Sequence, residues 1–231
     1  MQFLTKSSSH IPISFGCDNN IKSNNTNKTF LGIMIDNTQT WNSQIETFIP
    51  KLIVACFVVK PFKPLATQDT LKMVYHFYFH SLINYVIIIW GNSSYSNSIF
   101  ELQKRITRIT EGIGIRDSCR ELCKLLNILP LISKYIFSLV VFVVYNKNHF
   151  RMNFEIHNIN TRNNSNFHQP LSHLTIYQKG PFICILRYVT VFHLKKHLSH
   201  NIKKFRPFLR SFLHQHSFNT LDKYFNYGVV V

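Results

Sequence analysis

The chain has 231 residues, enough for one large or two small domains with a buried core. It carries 26 Lys and Arg against 10 Asp and Glu, a formal net charge of +16, together with 21 Phe and 12 His. This balance disfavours an acid-rich enzyme site and points to a polyanion as partner, either nucleic acid or an acidic membrane surface. Composition alone does not separate these two partners.

The cysteine content indicates a reducing compartment. The five cysteines are an odd number at irregular spacing, and the first residues, MQFLTKSSSH, have no secretory signal pattern. We therefore expect an intracellular protein, cytoplasmic or nuclear, and not a secreted one. The apolar runs 71–90 and 135–145 are interrupted or short compared with the about 20 apolar residues that cross a bilayer. We expect both to be core helices, and we expect no membrane partner.

Residues 1–41 predict a β-hairpin. The stretch from Lys28 to Trp41, KTFLGIMIDNTQTW, reads as one β-favouring strand that bends at Gly32. The residues from Ile11 to Phe15 are also strand-like and are the expected pairing partner. Because the chain opens with half of a β unit, we expect it to be a fragment of a longer protein.

Residues 42–150 predict a helical bundle, because five helical patterns follow one another through short connections. Their approximate spans are 43–59, 67–90, 98–113, 118–127 and 133–146. The first, third and fourth patterns open with a serine and, three residues later, a glutamate, which is the capping-box signature of a helix start. The second pattern is apolar on all sides, which predicts the most buried helix.

The remainder of the chain predicts an Asn-rich loop or linker over 151–170 and a small C-terminal helical unit over 171–231. The main helix of this unit is expected at about 201–214, with Pro207 in its middle. A central proline costs on the order of 3 kcal/mol, which suggests local damage. The predicted fold class is therefore mainly α: a helical bundle preceded by a β-hairpin and followed by a small helical unit.

Basic side chains lie opposite the apolar faces of two predicted helices, where they could contact phosphates. The candidate nucleic-acid contacts are Lys104, Arg105 and Arg108 on the third helix, and Lys203, Lys204 and Arg210 on the C-terminal one. Both helices therefore offer a cationic face to a polyanion.

No constellation in the sequence predicts catalysis. The acidic residues are scattered, and Asp36 is expected to serve a turn. Cys119 with Cys123, and His193 with His197, are each four residues apart, but about 70 residues separate the two pairs, which favours ordinary packing over a zinc site. We expect no catalytic residue, no metal ligand, no cofactor and no small-molecule substrate.

The motifs in their order resemble a known family. FLGIMID with the following TW, then QDTLKMVYHFYFHSLINYVIIIWGNSSYSNSIFELQKRITRI, RDSCRELCKLLNILPL and EIHNINTRNNSNFHQPLSHLTIYQKG are similar to the C-terminal part of jockey-like non-LTR retrotransposon reverse transcriptases. The resemblance covers most of 1–180. After Gly180 the sequence departs from the family pattern, which with Pro207 indicates a degenerate copy.

The resemblance implies roles for the predicted parts. In these RNA-directed DNA polymerases the palm holds Mg²⁺ through a Phe/Tyr-Ala-Asp-Asp motif, the Phe-Leu-Gly strand is the primer grip, and a helical thumb closes on the template–primer duplex. Phe30, Leu31 and Gly32 would be the primer grip, 1–41 the palm remnant and 42–150 the thumb. The catalytic motif is absent from this sequence. We expect binding of RNA or RNA–DNA duplex without polymerisation by this chain alone, and a palm-containing polymerase as a further partner.

Two alternatives stay open at the level of sequence. One is a domesticated basic helical protein that binds nucleic acid or protein with no tie to polymerisation. The other is a small membrane-associated protein built on the apolar runs 71–90 and 135–145. In a fragment that has lost its palm, the surface that the thumb normally covers would be exposed, which predicts marginal solubility.

Overall fold

A computed structural model of the chain describes residues 27–114, 118–157, 166–178, 180–191 and 202–229. These residues form a mainly helical fold with an antiparallel β-hairpin ahead of the helices. The predicted fold class is confirmed.

The hairpin consists of strands β1 (Asn27–Phe30) and β2 (Ile33–Asp36), which pair in antiparallel register. Leu31 and Gly32 form the two-residue turn, with φ angles of 49° and 75°. Two successive positive φ angles are typical of a type I′ turn, whose twist matches that of the strands. The prediction of one strand bent at Gly32 is therefore wrong, because the stretch folds back on itself there. The expected partner at 11–15 lies outside the described residues.

The helices follow the hairpin in close succession. They are α1 (Asn42–Phe62), α2 (Gln68–Val74), a π-helical segment (Tyr75–His80), α3 (Ser81–Asn84), α4 (Ile87–Trp90), α5 (Ser96–Glu111), α6 (Cys119–Leu125) and α7 (Leu131–Tyr145). A 3₁₀ turn (Lys147–His149) precedes α8 (Asn153–Ile156), α9 (Thr175–Gln178), α10 (Pro181–Val191), α11 (Ile202–His216) and α12 (Leu221–Val229). The helix predicted at 201–214 corresponds to α11, which continues on both sides of Pro207.

The second predicted helix differs most from expectation. It is interrupted by the π-helical segment and again at Val86, whose φ angle is 54°. Met73 and Phe77 are 69% and 83% exposed, so this is not the most buried helix. When a helical sequence is apolar on all sides, its pattern does not reveal which face of the helix will be covered by neighbouring elements. Most residues of α7 are buried, and its Ile136 and Val140 are completely inaccessible.

One capping prediction is right in part and two are wrong. Ser118 is the N-cap of α6 and accepts a hydrogen bond from the main-chain N–H of Arg120 at 3.4 Å. Ser43 and Ser98 instead lie inside α1 and α5. The glutamates of these two patterns have other partners. Glu46 accepts a hydrogen bond from Asn42 at 2.9 Å, and Glu101 accepts one from Lys104 at 2.6 Å.

The buried apolar side chains form one cluster that extends from Ile45 on α1 to Tyr224 on α12. Tyr188 on α10 lies edge-on to Tyr135 of α7, with ring centres 5.7 Å apart, and stacks on Phe225 of α12 at 4.8 Å. The described part of 171–231 therefore packs into the same core as the preceding helices.

Gln103, which is only 2% exposed, joins three elements through its side-chain amide. Its Nε2 donates to Tyr75 Oη and to the Leu129 carbonyl, each at 3.0 Å, and its Oε1 accepts from the Leu131 N–H at 2.8 Å. These bonds tie α5 to the π-helical segment and to the start of α7. They fix the rotation of α5 about its axis, and so they determine which of its side chains face solvent.

We predict that Gln103→Leu lowers the free energy of unfolding by about 2–4 kcal/mol, because buried partners on three elements lose their hydrogen bonds. Urea denaturation followed by circular dichroism measures this change. Gln215→Leu, at an exposed position on α11, is the control and should change the value by less than about 0.5 kcal/mol. Equal effects of the two substitutions would contradict the role of Gln103.

Candidate nucleic-acid interface

The predicted basic face of α5 is divided in the structure. Lys104 and Arg108, one helical turn apart, lie on the side that faces α6 and line one cleft. Arg105 lies on the other side, with its guanidinium 5.9 Å from the centre of the Phe57 ring of α1. The three candidates on this helix therefore do not form a single contact surface.

The cleft between α5 and α6 has a volume of about 170 Å³ and also includes Arg120. Arg120 Nη2 donates to the main-chain carbonyl of His216 at 2.6 Å, which holds the side chain across to the end of α11. Lys104 pairs with Glu101 and lies 4.5 Å from the centre of the Phe100 ring. Sequence reasoning missed Arg120, because helical spacing within α6 does not indicate which neighbouring helix it faces.

A second group of cations lies where α7 meets α11. Arg206, Arg210 and His214 are spaced four residues apart on α11, so they occupy one face of that helix. Arg210 Nη2 donates to the Asn127 carbonyl at 3.1 Å, and Lys134 is the basic residue of α7 nearest to this face. Of the other candidates on α11, Lys204 is exposed, whereas the side chain of Lys203 lies outside the described residues.

The two groups are linked through α11. Its main chain at residue 216 accepts the bond from Arg120, and Arg210 lies roughly 9 Å back along the helix at 1.5 Å per residue. We call these two groups of cations together the basic track; its members are Lys104, Arg108, Arg120, Arg210, Arg206 and Lys134. Within the described residues, the side-chain ion pairs are Lys104–Glu101 and Lys124–Glu121, both between residues three apart on one helix. Four members of the track therefore have no carboxylate partner among the described residues: Arg120, Lys134, Arg206 and Arg210.

The ionisation of the residues beside α11 reflects this charge. Burial, followed by the charges of Arg210 and Arg206, lowers the pKa of Lys134 to about 8. Burial also lowers the pKa of His80 to about 3, and the charges of Lys134, His76 and Arg210 add to the effect. Burial is the larger cause of both shifts, and the neighbouring cations act in the same direction.

The predicted primer-grip residues lie at the tip of the hairpin. Phe30 and Leu31 are 63% and 76% exposed. The phenol of Tyr85, which lies just after α3, donates to the Leu31 carbonyl. A Cβ at Gly32 would lie 3.4 Å from the same phenol oxygen, and its φ of 75° disfavours other residues. Tyr85, which sequence reasoning did not identify, thus holds the tip in place.

Asp36 organises the connection from the hairpin to α1. Its buried carboxylate accepts hydrogen bonds from Thr38 Oγ1 at 2.8 Å, from the Thr40 N–H and hydroxyl at 2.9 and 2.5 Å, and from the Trp41 N–H at 3.1 Å. Burial raises the pKa of this carboxyl, but the hydrogen bonds outweigh burial, and the pKa lies below its ordinary value of 3.8. The structure confirms that Asp36 serves the turn.

The described residues offer no fit for the Mg²⁺ site of the polymerases that the sequence resembles. Among them, no three His, Cys, Asp or Glu side chains gather where they could hold a metal ion, and Asp36 is fully engaged in its turn. Cys119 donates to the Lys104 carbonyl at 3.6 Å, and burial raises the pKa of Cys123 to about 12. The pair at 193 and 197 lies outside the described residues.

Two further findings bear on function. No helix in the described ranges is both long enough and apolar enough to cross a membrane. Comparisons of the chain with models of protein families, with curated proteins and with solved structures find no match. What the chain binds is therefore inferred from its own surface chemistry.

We predict that Asp36→Ala lowers the free energy of unfolding at pH 7 by about 2–3 kcal/mol, because it removes a hydrogen-bonded charge. The carboxylate stabilises the fold at pH values above about 4, and this contribution is lost as the pH falls through the lowered pKa. The difference between wild type and variant should therefore shrink below pH 4 in urea titrations. Asp69→Ala, at an exposed position on α2, is the control; an equally large, pH-independent loss in Asp36→Ala would contradict the electrostatic origin.

Proposed function

We propose that the chain binds RNA–DNA hybrid or RNA duplex through its phosphate backbone, as the thumb-like C-terminal part of a non-LTR retrotransposon reverse transcriptase. The basic track is the observation that carries this proposal. Its cations come from α5, α6, α7 and α11, and four of them have no carboxylate partner within the described residues: Arg120, Lys134, Arg206 and Arg210. Such a surface replaces counterions along a duplex, which gives affinity with little sequence preference.

The length of the track suits several phosphates. From Arg206 to His216, a separation of ten positions, α11 rises roughly 15 Å at 1.5 Å per residue. A nucleic-acid duplex carries about one negative charge per 1.7 Å of its axis. One face of the duplex can therefore present more than one phosphate to α11 while others reach the cleft between α5 and α6.

The hairpin tip supports a role in substrate contact. Leu31 adopts a left-handed conformation, which is unfavourable for a leucine, and its side chain is 76% exposed, so it adds little to the core. The type I′ turn requires this backbone conformation, so the unusual feature is a leucine, with its apolar side chain in solvent, at a position where Asn is favoured. We assign Phe30, Leu31 and Gly32 to the contact with the primer strand.

An apolar stripe on α1 supports a protein partner as well. Val54, Phe57, Val58 and Phe62 recur at helical spacing, and each is between 46% and 63% exposed. A palm-containing polymerase would cover such a surface, since a thumb packs beside its palm in an intact enzyme. The chain by itself, without catalytic aspartates, would hold a template–primer duplex and leave its extension to that partner.

We predict that purified chain binds an RNA–DNA hybrid with an affinity that falls steeply with salt. Arg120→Gln should reduce the slope of log K against log salt by roughly 0.7–0.9, the value for one phosphate contact. Fluorescence anisotropy at several KCl concentrations measures this slope. Lys147→Gln is the matched control, because Lys147 is exposed and lies in the 3₁₀ turn beyond the end of α7, and that end is roughly 16 Å along the helix from Lys134.

Two results would overturn the proposal. If the chain did not bind the hybrid, or if its affinity for the hybrid did not change with salt concentration, the basic track would have no role in binding. Extension of a primer by the chain alone in the presence of Mg²⁺ would contradict its lack of polymerase activity.

We predict that Leu31→Asn raises the free energy of unfolding by about 0.5–1 kcal/mol, because Asn-Gly is a favoured pair in type I′ turns. The same substitution should weaken hybrid binding by up to about tenfold, since complete burial of a leucine contributes about 1.5 kcal/mol or more. Urea unfolding and anisotropy measure the two effects. Leu65→Asn, at a leucine that is 86% exposed, is the control for binding. Unchanged hybrid affinity in Leu31→Asn would exclude a contact at the tip.

A further inference from the structure

Three elements bring basic side chains together at the part of the basic track where α7 meets α11. Lys134 comes from α7, and Arg206, Arg210 and His214 come from one face of α11. The π-helical segment adds His76 and His80, whose ring centres are 5.2 Å apart. The packing of α7 against α11 brings Lys134 to this face of α11, and the charges of Arg210 and Lys134 add to burial in lowering the pKa values of both histidines.

This part of the basic track has no balancing acid in the described structure. Within the described residues, Lys134, Arg206 and Arg210 form no ion pair with a carboxylate. Its histidines also have unused hydrogen-bonding atoms: His80 Nδ1 and His214 Nε2 are buried and have no partner among the described residues. Like charges brought together destabilise a fold, and buried polar atoms normally find a partner. An anion with several acceptor oxygens would satisfy both conditions at once.

We propose that Lys134, Arg206, Arg210, His76, His80 and His214 form a discrete binding site for one phosphate group. Two guanidinium groups and an ammonium group would surround its oxygens, and the ring nitrogens would supply further donors when protonated. The inference goes beyond the proposed function, which needs only counterion replacement along the track. A free phosphate and a backbone phosphate share the chemistry that this site recognises.

Binding of phosphate at this site takes up protons. The anion offsets the charges of Arg210 and Arg206, which act with burial to hold the pKa of Lys134 near 8. It acts in the same direction on His76, His80 and His214, whose pKa values burial and the neighbouring cations lower. Phosphate affinity should therefore fall as the pH rises above about 8, where Lys134 loses its proton in the free protein.

The first test measures inorganic phosphate binding to the whole chain by calorimetry and by the thermal unfolding midpoint, against chloride at equal ionic strength. The midpoint should rise with phosphate concentration in the wild type. Lys134→Met should weaken phosphate binding roughly tenfold or more, as expected for a charged hydrogen bond. This variant removes a half-buried cation, so it should fold without phosphate at least as well as the wild type. Lys147→Gln should bind phosphate like the wild type.

A second readout follows the histidines directly. In proton NMR titrations, phosphate should raise the pKa of His80 and His76, and Lys134→Met should reduce that rise. No stabilisation beyond the chloride control would overturn the proposal. Equal phosphate affinity in Lys134→Met and Lys147→Gln would overturn it as well.

The source of the phosphate is distinguished by competition with an RNA–DNA hybrid. If the site takes a backbone phosphate, inorganic phosphate displaces the hybrid more than chloride does, and Lys134→Met weakens both ligands. If it takes a free phosphate, Lys134→Met weakens phosphate alone. A chain that binds phosphate and no hybrid would refute the proposed function while supporting the phosphate site.

Discussion

The amide of Gln103 is the constraint on which the rest of the structure depends. It is buried at the point where α5, the π-helical segment and the start of α7 meet; it donates to Tyr75 and to the Leu129 carbonyl, and it accepts from the Leu131 N–H. An apolar side chain could fill the same space, but it would leave its three polar partners without these hydrogen bonds. Because these bonds fix the rotation of α5, Lys104 and Arg108 face α6 while Arg105 faces α1.

The packing that buries the apolar core also brings cationic side chains of the same helices close together, where they repel one another. The core joins α1 to α12 in one apolar cluster, which brings α7 and α11 into contact. That contact also forces Lys134 toward Arg206 and Arg210, which is unfavourable in the absence of an anion. The arrangement is understandable in a protein whose normal state includes a polyanionic partner, since the partner would relieve the repulsion that packing creates.

The sequence predicted the helices well where the signal is local, and it predicted an N-terminal hairpin but not the two strands that form it. Periodic apolar positions located α1, α5, α6, α7 and α11 to within a few residues, and the Asp36 turn was expected from the preference of aspartate for such positions. The turn at Leu31 was missed because a leucine with positive φ has no sequence signal. The broken second helix was missed because an evenly apolar stretch has no periodicity that would reveal a π-helical segment.

The candidate site was predictable only in part, because its members come from different helices. Arg210 was identified from one helix face, but Lys134 lies in a helix whose sequence reads as pure core. His76 and His80 were interpreted as interruptions of an apolar run. Their proximity to Arg210 depends on how α7, α11 and the π-helical segment pack, and residue spacing within one element carries no information about this.

The π-helical segment makes the chain tolerant of a change in length at one place. A π turn accommodates one residue more than an α turn, and each residue of an α-helix corresponds to a rotation of about 100°. Loss of one residue within Tyr75–His80 would therefore turn this segment into an ordinary α turn and leave the helical segments on its two sides in nearly the same relative orientation. Loss of one residue from α5, which is a regular α-helix, would instead rotate one end of that helix relative to the other by about 100°. The same change in length would thus have a local effect in the π-helical segment and would displace the side chains of α5 from their neighbours.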